Sequence, residues 1–223
     1  MPDGQYSFYL HSDDRTDIAA MATISTISQP LRGEFIRTAA TAGAVVYQVD
    51  ARLPALIPVF FAGQLSAVRL CAVMALVSGT WSSLTGLPDE PENGGAALPV
   101  SPETEYQRRR YTLTLQNGRS GERVESVLTE ASSRLRGDLL RNLIITGLAL
   151  HTTAPELPRL LASMPVPPTS VSELQALVQQ MAGTADVNRA AAAVPDTPAA
   201  PAAPVSGSDT REIKKNMRRA FGD

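Results

Sequence analysis

Two histidines, His11 and His151, and one cysteine, Cys71, are all the imidazole and thiol groups this 223-residue chain possesses. No glycine-rich phosphate loop and no metal-ligand spacing accompanies them, so neither an enzyme nor a bound cofactor or metal is expected. A lone thiol forms no internal disulfide, and Cys71 lies in an apolar run that suits burial rather than reactivity. The chemistry on offer is that of cations and hydroxyls. Arg108, Arg109 and Arg110 run into the alternating segment YTLTL at 111–115. Farther on, LRGDLLR at 135–141 groups Arg136, Gly137 and Arg141, and a third basic cluster, TREIKKNMRRAFGD, ends the sequence. Such groups recognise anions and hydrogen-bonding edges.

Net charge is only −2, yet the charge is segregated. Residues 84–105 hold five acids and no base, whereas 106–183 hold nine Arg against six acids. Residues 1–83 are nearly balanced, with Asp13, Asp14 and Asp17 clustered early. A near-neutral total therefore conceals basic blocks in the middle and at the end.

The phrase at 135–141 has already been written once. LRGEFIR occupies 31–37, 104 residues earlier, and the likeness extends outward from both. YSFYL at 6–10 precedes the first and YTLTL at 111–115 the second. Gly43 and Gly147 follow, then RLPAL at 52–56 and ELPRL at 156–160. The offset is 105 at the leading segment and 104 thereafter, so one residue is gained or lost between them.

Each copy predicts a short strand by its period-two alternation, then two helices. In the second copy Asn117-Gly118 makes a turn, Val124, Val127, Leu128 and Ala131 form an apolar stripe, and a break near Gly137 precedes the next helix. A lone strand and two helices cannot complete a core, because the strand's ladder groups and apolar face both need a partner. Two copies in one chain supply that partner, giving a ribbon-helix-helix arrangement whose two-stranded ribbon can enter a DNA major groove. The expected fold class is mainly α with short strands, built as two tandem ribbon-helix-helix-like units plus extra helices.

On this reading the outward strand positions touch bases: Arg110, Thr112, Thr114 and the flanking Gln116 in the second copy, and Ser7, Tyr9, Gln5 and His11 in the first. The bland alternative is that they merely face water. Phosphate contacts fall to Arg108, Arg109, Arg136 and Gly137 and to the matching Arg32 and Gly33, at helix starts whose backbone N–H groups attract anions. Arg141 and Arg37 suit a phosphate or a carboxylate within the fold equally. Asp138 and Glu34 suit the positive end of a helix. The second copy is expected to dominate the DNA contact.

The strand, the RG[DE] helix start, and TAGAVVYQVDARLPAL at 41–56 with TGLALHTTAPELPRLL at 146–161 resemble the ParR/StbB plasmid partition adaptors. The resemblance implies a ribbon-helix-helix protein that binds centromere-like DNA repeats. It also implies extra packing helices and a C-terminal tail that engages an actin-like ATPase of the ParM type. Family members usually carry one copy per chain; this sequence carries two.

The resulting organisation is repeat 1 over 1–83, an acidic Pro/Gly linker over 84–105, repeat 2 over 106–183, a disordered Ala/Pro linker over 184–208 and a basic amphipathic tail over 209–223. In the tail Ile213, Met217 and Phe221 share one helical face among Arg211, Lys214, Lys215, Arg218 and Arg219. A groove on a partner would supply both order and burial to so short a helix, although DNA backbone or a membrane surface could also attract it. The N-terminus lacks a signal-peptide pattern and no segment is a clean membrane span, so a cytoplasmic protein is expected. The expected function is a plasmid partition adaptor, acting as a homo-oligomer or an intramolecular pseudo-dimer. The alternative is a transcriptional repressor of the same fold with an incidental tail.

Overall fold

A computed structural model describes residues 4–80 and 107–192, with side chains described as far as 183. Each copy contributes one strand: β1 (Gln5–His11) and β2 (Arg108–Thr114). They pair antiparallel within the chain as a two-stranded ribbon, with Ser7 opposite Thr112 at its centre. Both strands are longer than their alternating cores suggested, and β2 starts at Arg108 instead of Tyr111. The three arginines hid that start, because polar residues carry no alternation; pairing with β1 draws them into the ladder.

Helices follow in matching order. The first copy has α1 (Arg15–Ser25), α2 (Arg32–Val49), α3 (Leu53–Phe60) and α4 (Ala67–Ser78). The second has α5 (Arg119–Glu130), α6 (Arg136–Thr153), α7 (Leu157–Ser163) and α8 (Val171–Ala192). The expected break near Gly137 lies earlier, at residues 131–135, and Gly137 belongs to the first turn of α6. Pro54 and Pro158 stand in the first turns of α3 and α7, where a missing N–H costs nothing. Glu173 accepts from the Thr169 N–H at 2.8 Å while its own N–H donates to Ser170 Oγ, a reciprocal cap at the start of α8. Those contacts hold the Glu173 carboxyl below its ordinary range. α8 runs on to Ala192, past the expected linker start at 184, because alanines sustain a helix until Pro195 approaches.

The copies are interleaved, not side by side. α2 packs on α6, α3 lies on α6, and α7 lies on α2. At the α2–α6 crossing a Cβ on Gly43 would overlap the Leu143 backbone, and one on Gly147 would overlap the Ala39 backbone. Gly43 and Gly147 are equivalent, and so are Ala39 and Leu143. The backbones therefore touch about a pseudo-two-fold axis, and only glycine permits that approach. The same axis passes through the Ser7–Thr112 pair of the ribbon.

The ribbon's inner face seals this core. Phe8, Leu10, Leu113 and Leu115 are buried, each contributing roughly 2 kcal/mol by removal from water. Phe8 stacks on Tyr111 with ring centroids 5.2 Å apart. His151, which stands where the first copy has Tyr47, packs edge-on to Phe35, a structural position. Cys71 is buried, and desolvation raises its thiol pKa. No described helix is long and apolar enough to cross a membrane.

Candidate nucleic-acid interface

Strand alternation divides the predicted residues between two faces. Gln5, Ser7, Tyr9 and His11 point outward from β1; Thr114, Thr112, Arg110 and Arg108 stand opposite them on β2. Ladder bonds run from Ser12 N–H to the Gln107 carbonyl and from Leu115 N–H to the Gly4 carbonyl. The outward pairs are consequently the non-hydrogen-bonded kind, whose side chains approach most closely. Gln5, Arg108, Arg110, Thr112 and Thr114 are exposed, and Ser7, Tyr9 and His11 are half-buried among them. Arg110 donates to Ser7 Oγ from Nε (3.2 Å) and Nη2 (2.9 Å). The Arg108 guanidinium lies 3.5 Å from the centroid of the Tyr9 ring, an arrangement that steadies a cation without neutralising it.

Arg108 and Arg109, paired in the sequence reading as phosphate contacts, part company. Arg108 shares the outward face with Arg110. Arg109 falls on the opposite parity, 5.2 Å above the Tyr111 ring at the ribbon's end.

The helix starts flank the ribbon. Gly137 abuts the Ser7 carbonyl, and α2 packs along β2 as α6 does along β1. Arg32 donates from Nε to the Ile27 carbonyl at 2.8 Å, and Arg136 from Nε to the Ala131 carbonyl at 3.2 Å. Both thus cap the carbonyl end that precedes their own helix, at equivalent positions, a task the sequence did not disclose. Arg136 bears on Tyr6 and Arg32 on Tyr111, both of whose phenol pKa values burial raises. The leucines that open the phrase, Leu31 and Leu135, are 60% and 58% exposed. Sequence reasoning passed over them, although their recurrence in the phrase was a signal. Gly33 is exposed at the start of α2.

Of the two roles open to Arg141, phosphate contact or a carboxylate within the fold, it takes the carboxylate. Its Nε donates to Asp17 Oδ1 at 2.7 Å, and its Nη2 reaches Asp17 Oδ1 at 2.6 Å and Asp14 Oδ2 at 3.2 Å. Asp17 is fully buried and also accepts the His11 N–H at 2.9 Å. Burial nonetheless outweighs these partners and pushes its carboxyl pKa up. Arg37, at the equivalent position, instead pairs with Glu34 on its own helix. With Arg119 and Arg159 it lines an open cleft of about 320 Å³.

Gln116 is exposed just beyond β2. The tail residues Ile213, Lys214, Lys215, Met217, Arg218, Arg219 and Phe221, and the acidic linker at 84–105, lie outside the described residues.

No curated protein and no solved structure matches the chain. The family model described as "plasmid stability protein" matches it twice, over residues 4–74 and 109–178. The two matches fall one on each strand-and-helices copy and together account for well over half of the sequence. The chain therefore belongs to the plasmid stability protein family, as a tandem repeat of the family's unit.

Proposed function

We propose that the chain serves plasmid stability as a non-enzymatic DNA-binding adaptor in the cytoplasm, its ribbon in the major groove of double-stranded plasmid DNA. The supporting observation is the outward ribbon face, where Arg108, Arg110, Thr112, Thr114, Ser7 and Tyr9 converge from both copies on one surface. Guanidiniums and hydroxyls there match guanine acceptors, adenine edges and thymine methyls. Arg32 and Arg136, with the N–H groups around Gly33 and Gly137, would hold phosphates on either side, since each guanidinium retains donors beyond its capping Nε. Arg109 adds charge at one end. Arg141 has no part in the contact.

The C-terminal segment 209–223 completes the adaptor by docking its Ile213, Met217 and Phe221 face into a groove of an actin-like segregation ATPase. That half rests on the apolar spacing within a basic tail and on the resemblance to partition adaptors. DNA binding and filament capture then reside in different parts of the chain.

The test is fluorescence anisotropy with duplexes drawn from the DNA flanking the chain's own gene, at two salt concentrations. Four phosphate contacts would weaken binding about 100-fold between roughly 50 and 200 mM salt. T112A/T114A should lose preference for the specific duplex, and R136A should weaken all duplexes alike. Binding that ignores both sequence and salt would defeat the proposal. Deleting 209–223 should leave DNA binding intact and abolish plasmid maintenance; unchanged maintenance would favour a repressor.

A further inference from the structure

A ribbon made by two identical chains must present the same side chains on both arms of its two-fold axis. Here both strands belong to one chain, and the arms differ. The axis passes through the Ser7–Thr112 pair, so Gln5–Thr114 on one arm and Tyr9–Arg110 on the other are equivalent positions. The first pair carries no charge. The second carries an arginine held by Ser7, and beyond it His11 stands opposite Arg108, whose guanidinium is laid over Tyr9. Both outward arginines of the ribbon thus sit on one arm. Arg109 lies at that same end, opposite Leu10.

The two helix starts do not share this asymmetry, although Arg32 adds a second bond, from Nη2 to the Ser25 carbonyl. Arg32 and Arg136 make the same bond to equivalent carbonyls, and Gly33 and Gly137 occupy equivalent turns. The phosphate clamp is two-fold while the reading surface is not.

From this contrast we infer that the protein reads a non-palindromic DNA site in one fixed orientation. The inference rests on the DNA-binding reading above. The Tyr9–Arg110 arm takes the half containing guanine, because a guanidinium fork matches the two acceptors on guanine's major-groove edge. The Gln5–Thr114 arm takes a half richer in A·T pairs, because a carboxamide suits adenine and a threonine methyl suits thymine. Arg110 and Arg108 are then the residues that give the bound protein its direction. A palindrome places one half under the wrong arm whichever way the protein sits.

The experiment is selection from a random duplex library with the full chain, followed by affinity measurement on three duplexes. These are the selected site, a palindrome of its guanine half, and a palindrome of its other half. The expected consensus is non-palindromic with guanine confined to one half, and each palindrome binds about 10-fold or more weakly. Selection with R108A/R110Q should lose the guanine preference in that half and keep the sequence of the other. R136A should lower affinity without changing the consensus. Circular dichroism confirms that these surface variants fold. A palindromic consensus, or palindromes bound as tightly as the selected site, would overturn the inference while leaving DNA binding intact. Failure to enrich any sequence would overturn the DNA reading itself, and the inference with it.

Discussion

The two copies are near-equivalents at their shared axis and strangers at one pair of flanks. Asp14 caps α1 by accepting the Asp17 N–H, and Asp17 draws Arg141 of the other copy into a buried ion pair. The equivalents of Asp14 and Asp17 are Gly118 and Gly121. The residue before α5 is therefore Gly118, with positive φ and no side-chain cap, and Arg37 has no acid to meet across the axis. It turns to Glu34 on the surface instead. Where the backbones touch, both copies keep glycine, Gly43 and Gly147. Away from that crossing one copy can specialise, in the buried Asp17–Arg141 pair as on the exposed ribbon, whose outward arginines are gathered on one arm.

Five variants sharpen this comparison. Breaking the buried pair should cost most. R141A leaves Asp17 buried with only the His11 N–H and the α1 turn for company, a loss of about 3–5 kcal/mol in urea denaturation at neutral pH. Because folding raises the Asp17 pKa, the protonation-linked stability is present at low pH and is lost as pH rises through the folded value. The penalty of R141A should accordingly shrink on acidification into the carboxylate range. A penalty that stays constant or grows on acidification would mean that Arg141 does not stabilise the ionised Asp17 carboxylate.

G43A and G147A come next. Each methyl meets backbone that can move only by separating α2 from α6, which costs about 1–3 kcal/mol. The two should agree closely, since the sites are equivalent. A large difference would show that the helix crossing is not two-fold. R37A should cost under about 1 kcal/mol, because its partner Glu34 is exposed. An effect equal to that of R141A would erase the contrast between the flanks.

The smallest effect belongs to α4. Its Val68 and Leu76 are 48% and 57% exposed, and the second copy has exposed Ser172 and Gln180 at the equivalent places. V68S/L76Q should change stability by no more than about 0.5 kcal/mol. A larger loss would show that this face packs against something the isolated copy comparison does not reveal.

Much of the fold was legible because repetition exposes what a single copy hides. The doubled phrase, the Leu-Pro pairs and the alternating strands located the strands, α2 with α6 and α3 with α7, and the apolar spacing of α5 identified its buried Val124, Val127 and Leu128. Three features could not be read. Gly43 and Gly147 were visible as a matched pair, but glycine marks turns as readily as helix contacts, and only packing distinguishes them. Arg141 was chemically suited to a phosphate or a carboxylate, and the choice depended on Asp17, 124 positions away. Arg32 and Arg136 looked available at helix starts, whereas Arg136 turns one donor backward onto a carbonyl and Arg32 turns two. In all three the residue type was informative and its partner was set by tertiary structure.

The central claim, that one chain supplies both strands of the ribbon, is open to a cross-linking measurement. Cysteines at Ser7 and Thr112, in a chain with Cys71→Ser, occupy a close, non-hydrogen-bonded pair suited to a disulfide. Non-reducing electrophoresis after mild oxidation should give a cross-linked monomer that migrates apart from its reduced form. A disulfide-linked dimer, or no cross-link at all, would contradict the account.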